Sequence, residues 1–227
     1  MSCQNQLSWY ELIPLLSFLA LAGRCKSCKT KISAQYPLVE FITGLVFAGL
    51  FLKFQDVFLG HALVFSITYS FYAVIFSLLI VIGAYDLKHK IIPDTLSLLG
   101  GVLALTGMFF FVNFSNSSTP FFYPHLPSIL EFLSGPIIAL PFALLWLISR
   151  GRWMGLGDAK LALPLGWLLG LAGAFSAVVL AFWIGAIIGV VLILASRNYK
   201  MKSEIPFAPY LILGTLLAFF FNLHFPI

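Results

Sequence analysis

Residues 175–195 read FSAVVLAFWIGAIIGVVLILA, a run without one charged side chain. A helix rises about 1.5 Å per residue, so such a run reaches across the roughly 30 Å apolar core of a bilayer. Six further runs qualify or nearly do: 36–54, 61–85, 95–112, 128–148, 159–172 and 207–223. Together they predict an all-α polytopic membrane protein of about seven transmembrane helices. The run at 159–172 is short, and its boundary with the run at 175 blurs around residues 170–174. An earlier run, 12–22, is too short to span; it fits a helix lying on the membrane or packed in a small cytosolic subdomain.

Composition agrees. The chain is 61% hydrophobic and 9% charged, whereas a soluble domain is about 45–50% apolar and about 25% charged. A water-soluble fold could not hide that much apolar surface, and lipid need not have it hidden. The formal net charge of +5 would suggest nucleic acid in a soluble protein, but here the basic residues punctuate the apolar runs. With Arg24–Lys31 placed in the cytosol and the spans alternating, one side holds Arg24, Lys26, Lys29, Lys31, Lys88, Lys90, Arg150, Arg152, Lys160, Arg197, Lys200 and Lys202. The other side holds Lys53 alone, which completes the 13 Lys and Arg. That segregation obeys the positive-inside rule and predicts an N-terminus inside and a C-terminus outside. The opening MSCQNQLSWYE has no basic patch followed by an apolar core, so no cleavable signal peptide is expected.

The carboxylates are few: Glu11, Glu40, Asp56, Asp86, Asp94, Glu131, Asp158 and Glu204. Beside lipid each is costly and often functional. Asp86, in GAYDLKHKIIPD (83–94), directly follows an apolar run; Asp158, in MGLGDAKLA (154–162), directly precedes one. In the topology above both sit at cytosolic helix ends. Two aspartates at one depth are what metal-free peptide hydrolysis needs. Close carboxylates share a proton, so one can draw a proton from water while the other donates to the peptide carbonyl. Gly155 and Gly157 lack a Cβ and would let a peptide backbone approach Asp158. By position alone, either aspartate could equally be a helix cap, and a lone GxGD is a weak signal. Asp94, after Pro93, reads as a helix cap. Lys160 could tune the pair or touch a substrate, though a lysine at a membrane edge requires neither. Gly83, Gly100 and Gly101 are expected to admit close helix approach.

Cys3, Cys25 and Cys28 are an odd number and so do not suit a disulfide framework. RCKSCK (24–29) suggests a reduced, metal-binding turn, because CxxC suits tetrahedral thiolate ligation of zinc. Three cysteines leave that site open, shared with another ligand, or not formed.

Four stretches carry a family resemblance: AYDLKHKIIPDTLSL (84–98), MGLGDAKLALPLGWLLG (154–170), EIPFAPYLILG (204–214) and LSWYELIPLLSFLALAGRCKSCKTKISAQYPLVEFITG (7–44). Together they resemble the bacterial type IV prepilin peptidases, the GxGD-type prepilin leader peptidase/N-methyltransferases, over nearly the whole chain. The resemblance implies a catalytic pair Asp86 and Asp158, with Gly155, Gly157, Lys160, Pro206, Phe207 and Pro209 shaping the site. It implies cleavage of a short basic leader, after a glycine, at the cytosolic face of a bacterial inner membrane. The substrates would be prepilins or pseudopilins, whose mature N-terminus is a hydrophobic helix. The other partner is membrane lipid, with no nucleic acid. Proteolysis would need no cofactor; zinc on Cys3, Cys25 and Cys28 would be structural, and S-adenosylmethionine would serve a methyltransferase activity. The expected division is a cytosolic cysteine subdomain at 1–35 and a peptidase domain at 36–227.

Departures from the family pattern are three. Cys25 and Cys28 form one CxxC, while Cys3 matches only the latter member of a second. The family's bifunctional members have one more leading helix, so the chain reads as shortened at its N-terminus. Ala208 stands where glycine is usual. The rival reading is a polytopic transporter with carboxylates at helix ends; it is disfavoured because the two aspartates are not at midplane and no inverted repeat is visible.

Overall fold

The computed structural model describes residues 8, 13, 15–111, 122, 124–195 and 206–225. These fold into helices α1 (Leu16–Ala20), α2 (Gln35–Gly60), α3 (Ala62–His89), α4 (Asp94–Phe110), α5 (Ile129–Ser149), α6 (Leu156–Ala195) and α7 (Ala208–Phe221). Among the described residues the only β pairings are isolated bridges, Arg24 with Lys31 and Phe111 with Phe122. α2, α3, α5 and α6 are long and apolar enough to cross a membrane; α4 and α7 are shorter apolar helices. The architecture is that of an all-α polytopic membrane protein.

The blurred boundary near residue 170 has a definite cause. α6 is interrupted at Gly170, with φ 70° and ψ 176°, a backbone region that is essentially glycine's own. The two spans read there are thus two helical segments, 156–169 and 171–195, joined without a loop. With α2, α3, α4, α5 and α7 they make up the seven apolar segments. The first starts at Leu156 rather than at 159, which puts Asp158 inside its first turn.

Large apolar side chains point outward along these helices, among them Leu63, Val81, Leu140, Leu147, Trp183 and Leu194. In water such a surface would drive aggregation; against hydrocarbon it carries no penalty.

The chain divides into two compact units, Met1–Gly49 and Leu50–Ile227. In the first, the run at 12–22 supplies only the five-residue α1, with Leu16 and Leu19 exposed. Glu40 ties the segment before α1 to α2, its Oε2 accepting from the Leu15 N–H at 3.2 Å. A turn closed by the Arg24–Lys31 bridge carries Cys25 and Cys28.

In the second unit α6 packs on α4, α5 and α7, and α3 packs on α4 and α7. Missing side chains set two of these crossings. A Cβ on Gly166 would lie 2.6 Å from the Gly135 Cα, so α5 and α6 touch backbone to backbone. Ser134 Oγ donates to the Gly166 carbonyl there at 2.9 Å. Gly214 of α7 likewise lies against the Ala177 carbonyl of α6. This is how membrane helices associate when lipid removes the hydrophobic drive between them. Of the three glycines expected to allow close approach, Gly83 meets Ile212 and Gly100 meets Leu78, but around Gly101 a Cβ would find nothing within 4 Å. Phe54, Tyr72, Phe76 and Phe219 form a buried aromatic cluster away from the aspartates, with Phe76 and Phe219 centroids 4.8 Å apart.

Candidate active site

α3 runs until Lys90 adopts a left-handed conformation, and Lys90 N–H closes the end onto the Asp86 carbonyl at 2.7 Å. Pro93 then prevents the helix from resuming in register, and α4 begins at Asp94. Asp86 therefore lies in the last turn of α3. Asp158 lies in the first turn of α6. Both aspartates are buried, at 5% and 9% exposure, and they lie within electrostatic reach of each other.

Each carboxylate is held by a backbone donor. Asp86 accepts from the N–H of Ala208, where α7 begins. Asp158 accepts from the N–H of Gly155, just before its own helix. Both donors belong to helix N-terminal regions, where N–H groups have no intrahelical acceptor and attract negative charge. Each carboxylate thus has one backbone N–H beside it.

The two glycines of the GLGD motif do different things. A Cβ at Gly157 would sit 3.0 Å from the Cβ of Ile92. Gly157 thus lets the buried Ile92 of the α3–α4 linker press against the first turn of α6. A Cβ at Gly155 would meet nothing nearer than Asp158 Oδ2, at 3.8 Å. That position keeps space open beside the carboxylate.

The remaining residues of the expected set divide as well. Phe207 caps α7 and stacks its ring toward Phe182 and Phe142, with centroids 5.0 and 6.0 Å away. Pro209 sits in the first turn of α7, where its lack of an N–H is harmless. The segment thereby braces Ala208 against Asp86, and Pro206 precedes it, half-buried. Lys160 turns elsewhere: its Nζ reaches Asp94 Oδ1 at 2.6 Å. Asp94 itself, expected as a helix cap, makes no cap; Pro93 holds that position, and the Asp94 side chain is the partner of Lys160.

Of two further contributors, Ile92 and the Ala208 N–H, only the second leaves a sign in the sequence. For Ala208 a signal exists in the PFAP bracket, since two prolines fix the backbone between them. For Ile92 there is none, because only the folded linker shows what fills the Gly157 notch.

The cysteine turn lies in the other unit. The Cys25 N–H donates to Thr30 O at 2.9 Å, the Lys29 N–H to Cys25 O at 3.0 Å, and Cys28 Sγ lies 3.1 Å from Thr30 Oγ1. Among the described residues no group of three or more His, Cys, Asp or Glu side chains is placed to hold a metal ion. Cys3 lies outside the described residues. Two thiolates fall short of the four ligands of a structural zinc site, so no chemical step is derived through a metal.

Residues 73–190 match the model of the type IV leader peptidase family, and residues 1–54 match that of the bacterial Peptidase A24 N-terminal domain. The chain is 30% identical over 221 residues to a Xanthomonas campestris protein named prepilin leader peptidase/N-methyltransferase, covering 96% of this chain and 70% of that one. A Bacillus subtilis protein of the same name is 32% identical over 222 residues, 97% of this chain and 79% of its own length. A Pseudomonas aeruginosa namesake is 31% identical over 220 residues, with 95% and 68% covered. No solved structure matches.

Proposed function

The chain belongs to the type IV leader peptidase family, and we propose that Asp86 and Asp158 are the catalytic pair with which it cuts leader peptides from prepilins or pseudopilins. The observation that carries this reading is two buried carboxylates from distant helix ends within electrostatic reach of each other, each with a backbone N–H beside it. Structural need alone does not explain it. A pair of like-charged groups withdrawn from water lowers stability, and is retained where function requires it.

The chemistry follows from one carboxyl being protonated and its neighbour ionised. The carboxylate takes a proton from water, and the resulting oxygen attacks the scissile carbonyl. The carboxylic acid donates to the carbonyl oxygen as the tetrahedral intermediate forms. On collapse the amine leaves with a proton returned by the pair, and the C–N bond breaks. Titration belongs to the pair rather than to either residue. Gly155 leaves room for the peptide, and the Pro206–Phe207–Pro209 bracket holds Asp86 in place.

The segregation of Lys and Arg supports a site on the cytosolic face of the bacterial inner membrane, where a basic leader would be presented. On this reading residues 1–35 are a cysteine subdomain and 36–227 the peptidase. The relatives' name also includes an N-methyltransferase. No residue of this chain is assigned to S-adenosylmethionine, and hydrolysis by two carboxyl groups uses none. A transporter would place its carboxylates at midplane, which does not suit a pair drawn from the last turn of α3 and the first turn of α6.

The test is cleavage of a prepilin in membranes, scored by gel shift and N-terminal sequencing, for wild type, Asp86→Asn and Asp158→Asn at equal expression. Cleavage after the leader glycine, lost in both variants, is expected. Unchanged cleavage in both sinks the pair. A methyl group on the new amine, sought in the same sample, decides whether the second activity accompanies the first.

A further inference from the structure

Residues 90–93, between α3 and α4, are clamped at both ends. At one end the Lys90 N–H donates to the Asp86 carbonyl at 2.7 Å. At the other the Pro93 carbonyl accepts from the Ser97 N–H at 3.1 Å, and the proline ring fixes its own φ. Between these anchors the side chains alternate: Ile91 is 65% exposed and Ile92 only 8%. So short a linker cannot move far without moving the end of α3 that carries Asp86.

Ile92 spends its burial on Gly157. From the place where a Cβ of Gly157 would stand, Ile92 Cβ is 3.0 Å away, Cδ1 3.2 Å and Cγ1 3.4 Å. The side chain therefore lies along the Gly157 backbone with its stem, not only with its tip. A change of rotamer moves Cγ1 and Cδ1 but leaves Cβ fixed to the linker backbone. Gly157 is bonded directly to Asp158, their Cα atoms about 3.8 Å apart. A shift of linker against helix is thus passed to Asp86 on one side and to Asp158 on the other.

A second contact of the same chemistry lies near Asp86 and differs in one respect. A Cβ at Gly83, one turn before Asp86 on α3, would meet the Ile212 Cδ1 alone, at 3.0 Å. That atom is a terminal methyl, and rotation about the last side-chain bond carries it away. Of the two glycine–isoleucine contacts, only the one beside Asp158 is rigid.

We propose that Ile92 is a positioning residue that sets the spacing between Asp86 and Asp158. The proposal rests on the peptidase reading above. Repulsion between two carboxylates falls with their separation, so spacing governs how the pair shares its proton and how far apart its two apparent pKa values lie. The other polar groups around the pair are the N–H groups of Ala208 and Gly155, the exposed Lys88, His89 and Lys90 that follow Asp86, and Lys160, which is engaged with Asp94. Substitutions at 92 and 157 leave all of them in place.

The test uses the full-length protein in membranes with prepilin as probe. Ile92→Ala, Gly157→Ala and the double variant are compared, with Gly83→Ala as control. Ile92→Ala empties the space into which Gly157→Ala adds one carbon. Each single change is expected to lower kcat about tenfold, less than the roughly 10²-fold that a 1 Å misplacement costs, with KM near wild type. Each should also displace the limbs of the pH–rate profile, which a smaller amount of folded enzyme would leave where they are. The double variant should recover most of kcat and return the limbs, and Gly83→Ala should stay within about twofold of wild type because its neighbour can rotate away. Thermal melts place every kcat on folded protein. Losses that multiply in the double variant, limbs that stay in place in both single variants, or a Gly83→Ala as damaging as Gly157→Ala each overturn the assignment. A wild type that cleaves no prepilin overturns the peptidase reading itself, and this assignment with it.

Discussion

Two short stretches of sequence, 86–94 and 158–160, each contribute one member to two different pairs. Asp86 lies within electrostatic reach of Asp158: two acidic groups, both buried, each with a backbone N–H beside it. Asp94 meets Lys160: two opposite charges, 2.6 Å apart, with side chains 75% and 41% exposed. The second pair is what a protein uses to keep two segments in register at little expense. The first is what it would avoid without a reason. On the proposed reading, the difference separates chemistry from scaffolding within nine residues of one stretch and three of the other.

The largest effects belong to the buried pair. Asp86→Asn and Asp158→Asn should each lower kcat for prepilin cleavage by about 10³-fold or more, toward the upper end of what a general acid or base supplies. Stability should move the other way. Replacing one of two buried carboxyl groups that share a charge should raise the melting temperature by about 2–4 °C, the shift that about 1 kcal/mol produces in a chain of this size. Activity assays paired with thermal melts in detergent read both. A variant that loses activity and melts lower would place the aspartates in the scaffold and erase the contrast.

Much of this is legible in the amino-acid sequence alone. The seven apolar segments, the pairing candidates Asp86 and Asp158 and the segregation of basic residues all follow from one-dimensional pattern, because a bilayer imposes length and polarity on each span separately. Helix neighbours are a different kind of information. Gly83 and Gly100 do meet other helices, while Gly101, next in sequence, faces empty space. Spacing gives a residue's place on its own helix but not what lies opposite. The same gap hides Gly166 and Gly214, whose backbones touch α5 and α6 partners. It also hides the Lys160 partner, 66 residues away. The Gly170 break shows in the sequence only as a blurred boundary, since an interruption that inserts no polar loop leaves hydropathy almost continuous.

An intermediate effect separates the two glycines that look equivalent in GLGD. Gly157→Val would drive a side chain into Ile92, already 3.0 Å from where its Cβ would stand. The linker between α3 and α4 would then shift and carry the end of α3 with it. A loss of about 10–100-fold in kcat/KM is expected, with about 1–3 kcal/mol of destabilisation from overpacking. Gly155→Ala meets only ordinary contact, at 3.8 Å from Asp158 Oδ2, and should cost several-fold less. Kinetics on the two variants side by side decide it. If Gly155→Ala proves the more damaging, the backbone at 155 serves the substrate more than the linker serves the fold.

The smallest effect should come from the exposed pair, and its smallness is informative. An ion pair open to solvent contributes about 0–1 kcal/mol. Asp94→Asn, Lys160→Gln and the double variant, melted under identical conditions, should therefore yield a coupling energy within about 1 kcal/mol, and raised salt should shrink it further. Their activities should fall far less than those of the Asn variants at 86 and 158, because Lys160 is paired with Asp94 and not with the proposed catalytic pair. A coupling energy well above that range would mean the exposed pair holds the first turn of α6 against α4 strongly enough to set the position of Asp158. Register and catalysis would then be one device, and the two pairs could no longer be treated as separate.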